Sequence, residues 1–228
     1  MWWKILCVVL LIYTIIGGFL FEVPRLPINN ETTRNLYFHV PMWFGMIIIL
    51  TVSVIYAIRN LRSSRADHDL ISNQAAQVGV GFGIIGLLTG MLWARYTWGA
   101  YWHGDVKQLT SAISLLIYLA YFVLRASLVD EQQRARISGI YNIFAYALLI
   151  PLLFILPRLT DSVHPSNGGN PGFNSYDLDS KMRLVFYPAI IAWTLLGWWI
   201  VTLRVRIENV YGQLMEADED IYLIENNS

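Results

Sequence analysis

Six apolar runs recur along this chain, at about residues 5–21, 42–58, 75–92, 109–124, 137–156 and 182–203. Each is close to the roughly 20 residues that carry a helix across the hydrocarbon core of a bilayer, where backbone polar groups must find partners within their own segment. The sequence therefore predicts an all-α integral membrane protein, a bundle of six transmembrane helices. Composition supports this, since 14% of the residues are charged and 56% hydrophobic, where a soluble domain carries about 25% charge. The 16 basic and 16 acidic side chains balance, giving no argument for a nucleic-acid partner. Cys7 is the only cysteine, so intramolecular disulfides and Cys-based zinc or iron–sulfur sites are excluded. No Cys-x-x-Cys-His occurs to hold haem by thioethers.

Met1-Trp-Trp-Lys4 and the apolar run behind it resemble a signal peptide. Gly17-Gly18-Phe19-Leu20-Phe21 offers no small-x-small cleavage site, so the run reads as a retained first span. Residues 22–35, with Pro24 and Pro27, read as an extramembrane loop. Pro41 suits the first turn of a helix, where its missing N–H costs nothing, which places His39 just before the second span. Gly81-Phe-Gly83-Ile-Ile-Gly86 has the letters of a dinucleotide fingerprint, but no strand precedes it. Gly86-Leu-Leu-Thr-Gly90 fits close helix approach, and Pro151 is expected to kink the fifth span. Residues 157–177 are rich in turn formers. The sequence shows no repeat and no soluble second domain. It reads as one six-helix domain, residues 1–206, and an acidic tail, residues 207–228, that includes Glu216, Asp218, Glu219 and Asp220.

With six spans, the first, third and fifth connections share one face. One side collects Lys4, Arg59, Arg62, Arg65, Arg125, Arg134, Arg136, Arg204 and Arg206; the other has Arg25, Arg34, Arg95, Lys107, Arg158, Lys181 and Arg183. The denser basic loops mark the cytoplasmic side. Both termini are then cytoplasmic, and His39, the third connection and His164 face outward.

That third connection is unusual. Trp93, Tyr96, Trp98, Tyr101 and Trp102 crowd into ten positions between two spans. Aromatics anchor helix ends at membrane interfaces, but these are too dense for anchoring alone. An apolar platform fringed by Arg95 and Lys107 suits a large planar ligand bearing carboxylates. Asp105, with Gln108 three residues on, fits an N-cap with a capping-box partner as well as a ligand-site role. His68 lies between aspartates in a basic loop and needs no further explanation, and His103 is compatible with a capping or a binding role. His39 and His164 lie near prolines on the same face. Two neutral imidazoles can hold a haem iron from opposite sides; they could also bind zinc, though no acidic or cysteine cluster stands beside them to complete a tetrahedral site.

The combination of Tyr37-Phe-His39-Val-Pro41, Thr89-Gly90-x-x-Trp93-x4-Trp98-Gly99-x-x-Trp102-x-x-Asp105 followed by Leu109-Thr110-Ser111, and the later His164 resembles the cytochrome c maturation protein C family. The resemblance covers all six spans. It implies a tryptophan-rich outer segment that presents haem b non-covalently, with His39 and His164 as axial ligands. It further implies delivery of haem to a haem chaperone for cytochrome c assembly at the bacterial inner membrane, with ABC transporter subunits of the same pathway as further partners. The chain departs from the family pattern at Gly104, where a tryptophan is typical, and at Tyr101 and His103.

The leading expectation is a haem-handling and transfer protein rather than a classical enzyme. Trp93, Trp98, Tyr101 and Trp102 would wall the macrocycle, Arg95 and Lys107 would meet its propionates, and Asp105 would belong to the same site. A membrane oxidoreductase exchanging electrons between haem b and quinone is a second reading, lowered by the absence of histidine inside the expected spans. A cofactor-free scaffold or transporter, with the aromatics only as anchors in lipid, is a third.

Overall fold

The computed structural model describes residues 1–25, 29–164 and 178–226, with side chains described as far as residue 218. Pro27, the turn-rich residues 165–177 and the side chains of Glu219 and Asp220, all singled out above, lie outside the described residues. The chain forms α1 (Trp2–Leu20), a 3-10 helix (Asn30–Asn35), α2 (Leu36–Ser63), α3 (Ala66–Trp98), α4 (Val106–Ser127) and α5 (Glu131–Ile150). A π-helical turn (Pro151–Ile155), the short α6 (Leu156–Leu159) and the 47-residue α7 (Ser180–Asn226) complete it. There is no strand among the described residues, and six helical segments are long and apolar enough to cross a membrane.

Local chemistry fixes the ends of these helices. Ser64 ends α2 in the left-handed conformation (φ 50°) and Gly99 ends α3 there (φ 86°). Glycine at such a helix end carries no Cβ to oppose positive φ. Asp130 caps α5 by accepting the Gln133 N–H at 2.7 Å. At Pro151, where a kink is expected, the helix widens into the π turn, because proline supplies no N–H to the α-helical ladder.

Several boundaries differ from the sequence reading. The 3-10 helix runs directly into α2, so Pro41 is buried inside that helix instead of in its first turn, and His39 sits on the helix itself. Only the Tyr37 carbonyl loses its α-helical partner to this proline. Trp93 and Trp98 ride on the last turns of α3, which extends beyond the apolar run that marked the span. The acidic tail, at least in its backbone, continues α7 as helix.

Aliphatic side chains of α2 to α5 and α7, with Phe82 and Tyr118, form the main core, from Met46, Ile49 and Leu50 to Leu149 and Val201. α2 and α3 pack as a tight hairpin: a Cβ on Gly79 would stand 2.8 Å from Leu50 and one on Gly83 2.6 Å from Met46 and Leu115. α1 lies outside, against α7, where Cys7 is fully buried with its Sγ 3.7 Å from the Ala192 carbonyl. Its opposite face exposes Ile5, Val9, Ile12 and Ile16, which suits lipid contact.

Candidate ligand site at the aromatic end

The C-terminal end of α3, the N-terminal ends of α2 and α4, and the segment after α6 meet at one end of the bundle. His39 projects from α2 onto α3. Its Nδ1 donates to the Gly86 carbonyl at 2.9 Å, with the Thr89 hydroxyl oxygen 3.2 Å away. A carbonyl can only accept, so the proton is on Nδ1 and Nε2 keeps its lone pair. Gly90 makes this seat possible, since a Cβ there would come within 2.6 Å of the imidazole Cε1. The glycine pair read as a helix-approach motif therefore accommodates side chains: Gly86 faces Trp43 and Gly90 faces His39. Trp43 and Trp93 both meet the imidazole edge-to-face, with centroids at 6.4 and 5.9 Å.

His164 is seated differently. Its Nδ1 donates to Asp105 Oδ1 at 2.8 Å, and its ring packs edge-on against Trp98 at 4.7 Å. Asp105 is buried and serves two elements at once. It caps α4 by accepting the Lys107 N–H at 2.8 Å, and it holds the segment after α6 through the Ser162 hydroxyl at 3.1 Å and the Val163 N–H at 3.0 Å. The capping role read from the sequence is thus seen, and the same carboxylate also holds His164. Gln108 departs from the expected capping box and instead ties down the 99–105 segment. Its Oε1 accepts the His103 N–H at 2.9 Å and its amide donates to the Tyr101 carbonyl at 3.1 Å. Gly104 turns the chain into Asp105 at φ 73°, a conformation that a tryptophan there would adopt only under strain.

Burial lowers the pKa of the His164 imidazole, against the opposing Asp105 carboxylate, and the positive charge of Lys107 lowers it further. Burial alone would raise the pKa of Asp105; His164, Ser162 and the Lys107 and Val163 N–H groups outweigh it and hold the carboxyl below its ordinary range. The two directions agree with a neutral imidazole donating to an ionised carboxylate. Like His39, His164 is left with its Nε2 lone pair. Both His164 and Lys107 lie within electrostatic reach of His39.

The remaining residues selected from the sequence divide into two groups. Trp93 is held by its indole N–H donating to Thr32 at 3.3 Å, and Trp98 sits between His164 and His103, the latter 6.1 Å away. Tyr101 and Trp102 are exposed, at 53% and 43%. Arg95 is exposed and donates to the Gly99 carbonyl, closing the end of α3. An open cavity of about 320 Å³ borders Asp105, Asp161, Ser162 and Val163. No group of three or more His, Cys, Asp or Glu among the described residues is placed to hold a bare metal ion.

The model of one protein family, described as heme exporter protein C, matches residues 1–218. The chain belongs to the heme exporter protein C family. A protein of that name from Bradyrhizobium diazoefficiens is 28% identical over 170 residues, covering 74% of this chain and 63% of that protein. The Escherichia coli K12 protein of the same name is 24% identical over 205 residues, 90% of this chain and 81% of its own length. A Marchantia polymorpha protein named a putative cytochrome c biosynthesis ccmC-like mitochondrial protein is 30% identical over 115 residues, half of each chain. The chain thus spans less than two thirds of the Bradyrhizobium protein and about half of the Marchantia protein.

Trp43 and Ser162 are absent from the sequence reading, and Thr89 enters it only as part of a motif, with no role. Trp43 was within reach, because it follows His39 by four residues and so shares its face of α2. Thr89 and Ser162 carry no such mark, since their roles depend on contacts across 50 and 57 residues.

Proposed function

We propose that this protein binds haem b non-covalently at the aromatic end, presents it at the outer face of a bacterial cytoplasmic membrane, and passes it to a haem chaperone during c-type cytochrome biogenesis. The observation that carries this reading is the matched state of His39 and His164, each donating through Nδ1 to an oxygen and keeping an Nε2 lone pair. Metal-bound histidines are typically oriented in this way. The donor set fits haem, whose macrocycle supplies four nitrogens and asks two axial ligands of the protein. The relatives' names, which speak of heme export and of cytochrome c biosynthesis, point the same way.

In this reading Trp93, Trp98, Tyr101 and Trp102 wall the macrocycle, and Arg95 and Lys107 meet the propionates. Asp105 acts through His164. A carboxylate-backed imidazole is the stronger donor, so ligand exchange begins at His39, whose Nδ1 rests only on a carbonyl. The termini are cytoplasmic, and ABC transporter subunits of the same pathway are the further partners.

One observation favours a second reading, a haem b electron carrier for quinone: His39 lies on a membrane helix, which removes the argument that no histidine sits in a span. Mixing the haem-loaded protein in nanodiscs with apo-chaperone separates the two. Movement of the Soret absorbance into the chaperone fraction supports handling. Haem that stays in place and is reduced by added quinol supports the electron carrier and overturns transfer.

A further inference from the structure

Beyond the bundle, at the end opposite the aromatic site, α7 continues as a single helix that leaves its neighbours. Val201 is fully buried, and Arg204 is anchored to α3 by donating to Gln74 at 2.6 Å and to Gln77. Among the described residues the last hydrogen bond from α7 to α3 is the Gln74 amide donating to Glu208 at 3.4 Å. From residue 206 to residue 218 every side chain is exposed. Residues 207–218 extend the helix by roughly 18 Å at 1.5 Å per residue.

This extension is not uniformly polar. Ile207, Val210, Tyr211, Leu214 and Met215 are 66%, 55%, 60%, 60% and 52% exposed. Their spacing of i, i+3, i+4, i+7 and i+8 puts all five on one face, while Asn209, Gln213 and Glu216 occupy the other. Such a row is the anchor pattern of a helix that packs into an apolar groove or against another helix, and tyrosine and methionine are enriched at interfaces.

Charge decides between the possible occupants. Residues 207–228 contain Glu208, Glu216, Asp218, Glu219, Asp220 and Glu225 and no lysine or arginine. The basic residues stop at the root, with Arg59, Arg62, Arg65, Arg204 and Arg206. An amphipathic helix that lies on a membrane carries basic residues on its polar face, attracted to anionic headgroups; this one carries acids. A second copy packed alongside in parallel through this row would set Asp218, which at i+11 falls in line with Ile207, against itself.

We propose that residues 207–218 of α7 are a docking helix for an amphipathic helix of a partner protein whose apolar face is flanked by lysine or arginine. The span and its extension are one helix anchored by Arg204, so a partner seated there is held rigidly against the membrane domain. The surface lies at the far end of the bundle from His39 and His164 and does not depend on haem binding.

The test is site-specific photo-crosslinking of the full chain in its own membrane, with the reactive side chain placed at Tyr211 or Leu214 on the apolar face and at Asn209 or Gln213 on the other. The expected result is an adduct with a different polypeptide from 211 and 214 only. The contact peptide should contain lysine or arginine, and the yield should fall at least tenfold on Leu214→Asp. That substitution adds a charge to an exposed position, so an unchanged thermal midpoint shows that the fold survives. Adducts with lipid or with a second copy, adducts of equal yield from both faces, a contact peptide without basic residues, or no adduct at all would overturn the proposal.

Discussion

The two ends of the bundle use polar groups in opposite ways. In the half nearer the Ser63–Ala66 turn, polar side chains are turned toward one another. Arg125 forks onto Asp69 at 2.9 and 2.5 Å and donates to Ser138 at 2.8 Å. Asn142 donates to Ser53 at 2.7 Å and to Ser72 at 3.3 Å, while Ser53 and Ser72 each donate to the other's carbonyl. At the aromatic end, His39 and His164 each spend Nδ1 on the protein, and among the described residues their Nε2 atoms have no hydrogen-bond partner. The first arrangement binds helices together, whereas the second seats two imidazoles that the proposed function takes as ligands.

The largest effect that separates the two ends is expected from Arg125→Ala. It leaves Asp69 as an uncompensated, mostly buried charge, which costs about 3 kcal/mol or more. The thermal midpoint in detergent should fall sharply, and adding Asp69→Asn should recover much of it. Haem binding measured below that midpoint should be unchanged; a loss there would break the division between the ends.

Gly90→Ala reverses the pattern. With a Cβ 2.6 Å from the His39 ring, the imidazole must leave its seat, and haem affinity should fall by about 10- to 100-fold, as for loss of the partners that orient a metal ligand. Stability should hold, since alanine favours helix over glycine. Gly81→Ala, where a Cβ meets nothing within 4 Å, is the control, and equal effects at 81 and 90 in a haem titration would refute the seating role.

Asp105→Asn sharpens the comparison further. Asparagine still caps α4, so the helix should lose only tenths of a kcal/mol, while the carboxylate behind His164 is gone. Affinity should drop about tenfold, with a shifted Soret band and a modest fall in midpoint, since the amide nitrogen cannot accept the Val163 N–H. The smallest expected effect is the contrast between Trp98→Phe and Trp102→Phe. The edge contact of Trp98 with His164 is worth about 0.5–1.5 kcal/mol, so haem should dissociate a few-fold faster from the first. Equal, negligible changes in both off-rates would favour aromatics that serve only as anchors.

The number of helices was legible in the sequence because the bilayer sets a length that apolar runs must meet, and Asp105 caps α4 as its local chemistry indicates. Helix ends were less legible. Hydropathy reports where apolar residues stop, not where the helix does, so α3 was ended before Trp93 and Trp98 and α2 was started after His39. Within the site, His39, His164 and the tryptophans stood out by residue type and position. Gly90 does face the neighbouring helix, as its motif suggests, but a glycine there looks the same in sequence whether a backbone or an imidazole fills the space. The Asp105–His164 pair joins residues 59 apart, and only the folded chain shows it.

The central claim is that His39 and His164 offer their Nε2 atoms to one iron. Optical and electron paramagnetic resonance spectra of the haem-loaded protein in detergent address it directly. A six-coordinate low-spin signal is expected, converting to high-spin in either His39→Ala or His164→Ala and returning when imidazole is added. A low-spin spectrum that persists unchanged in the double variant would contradict it.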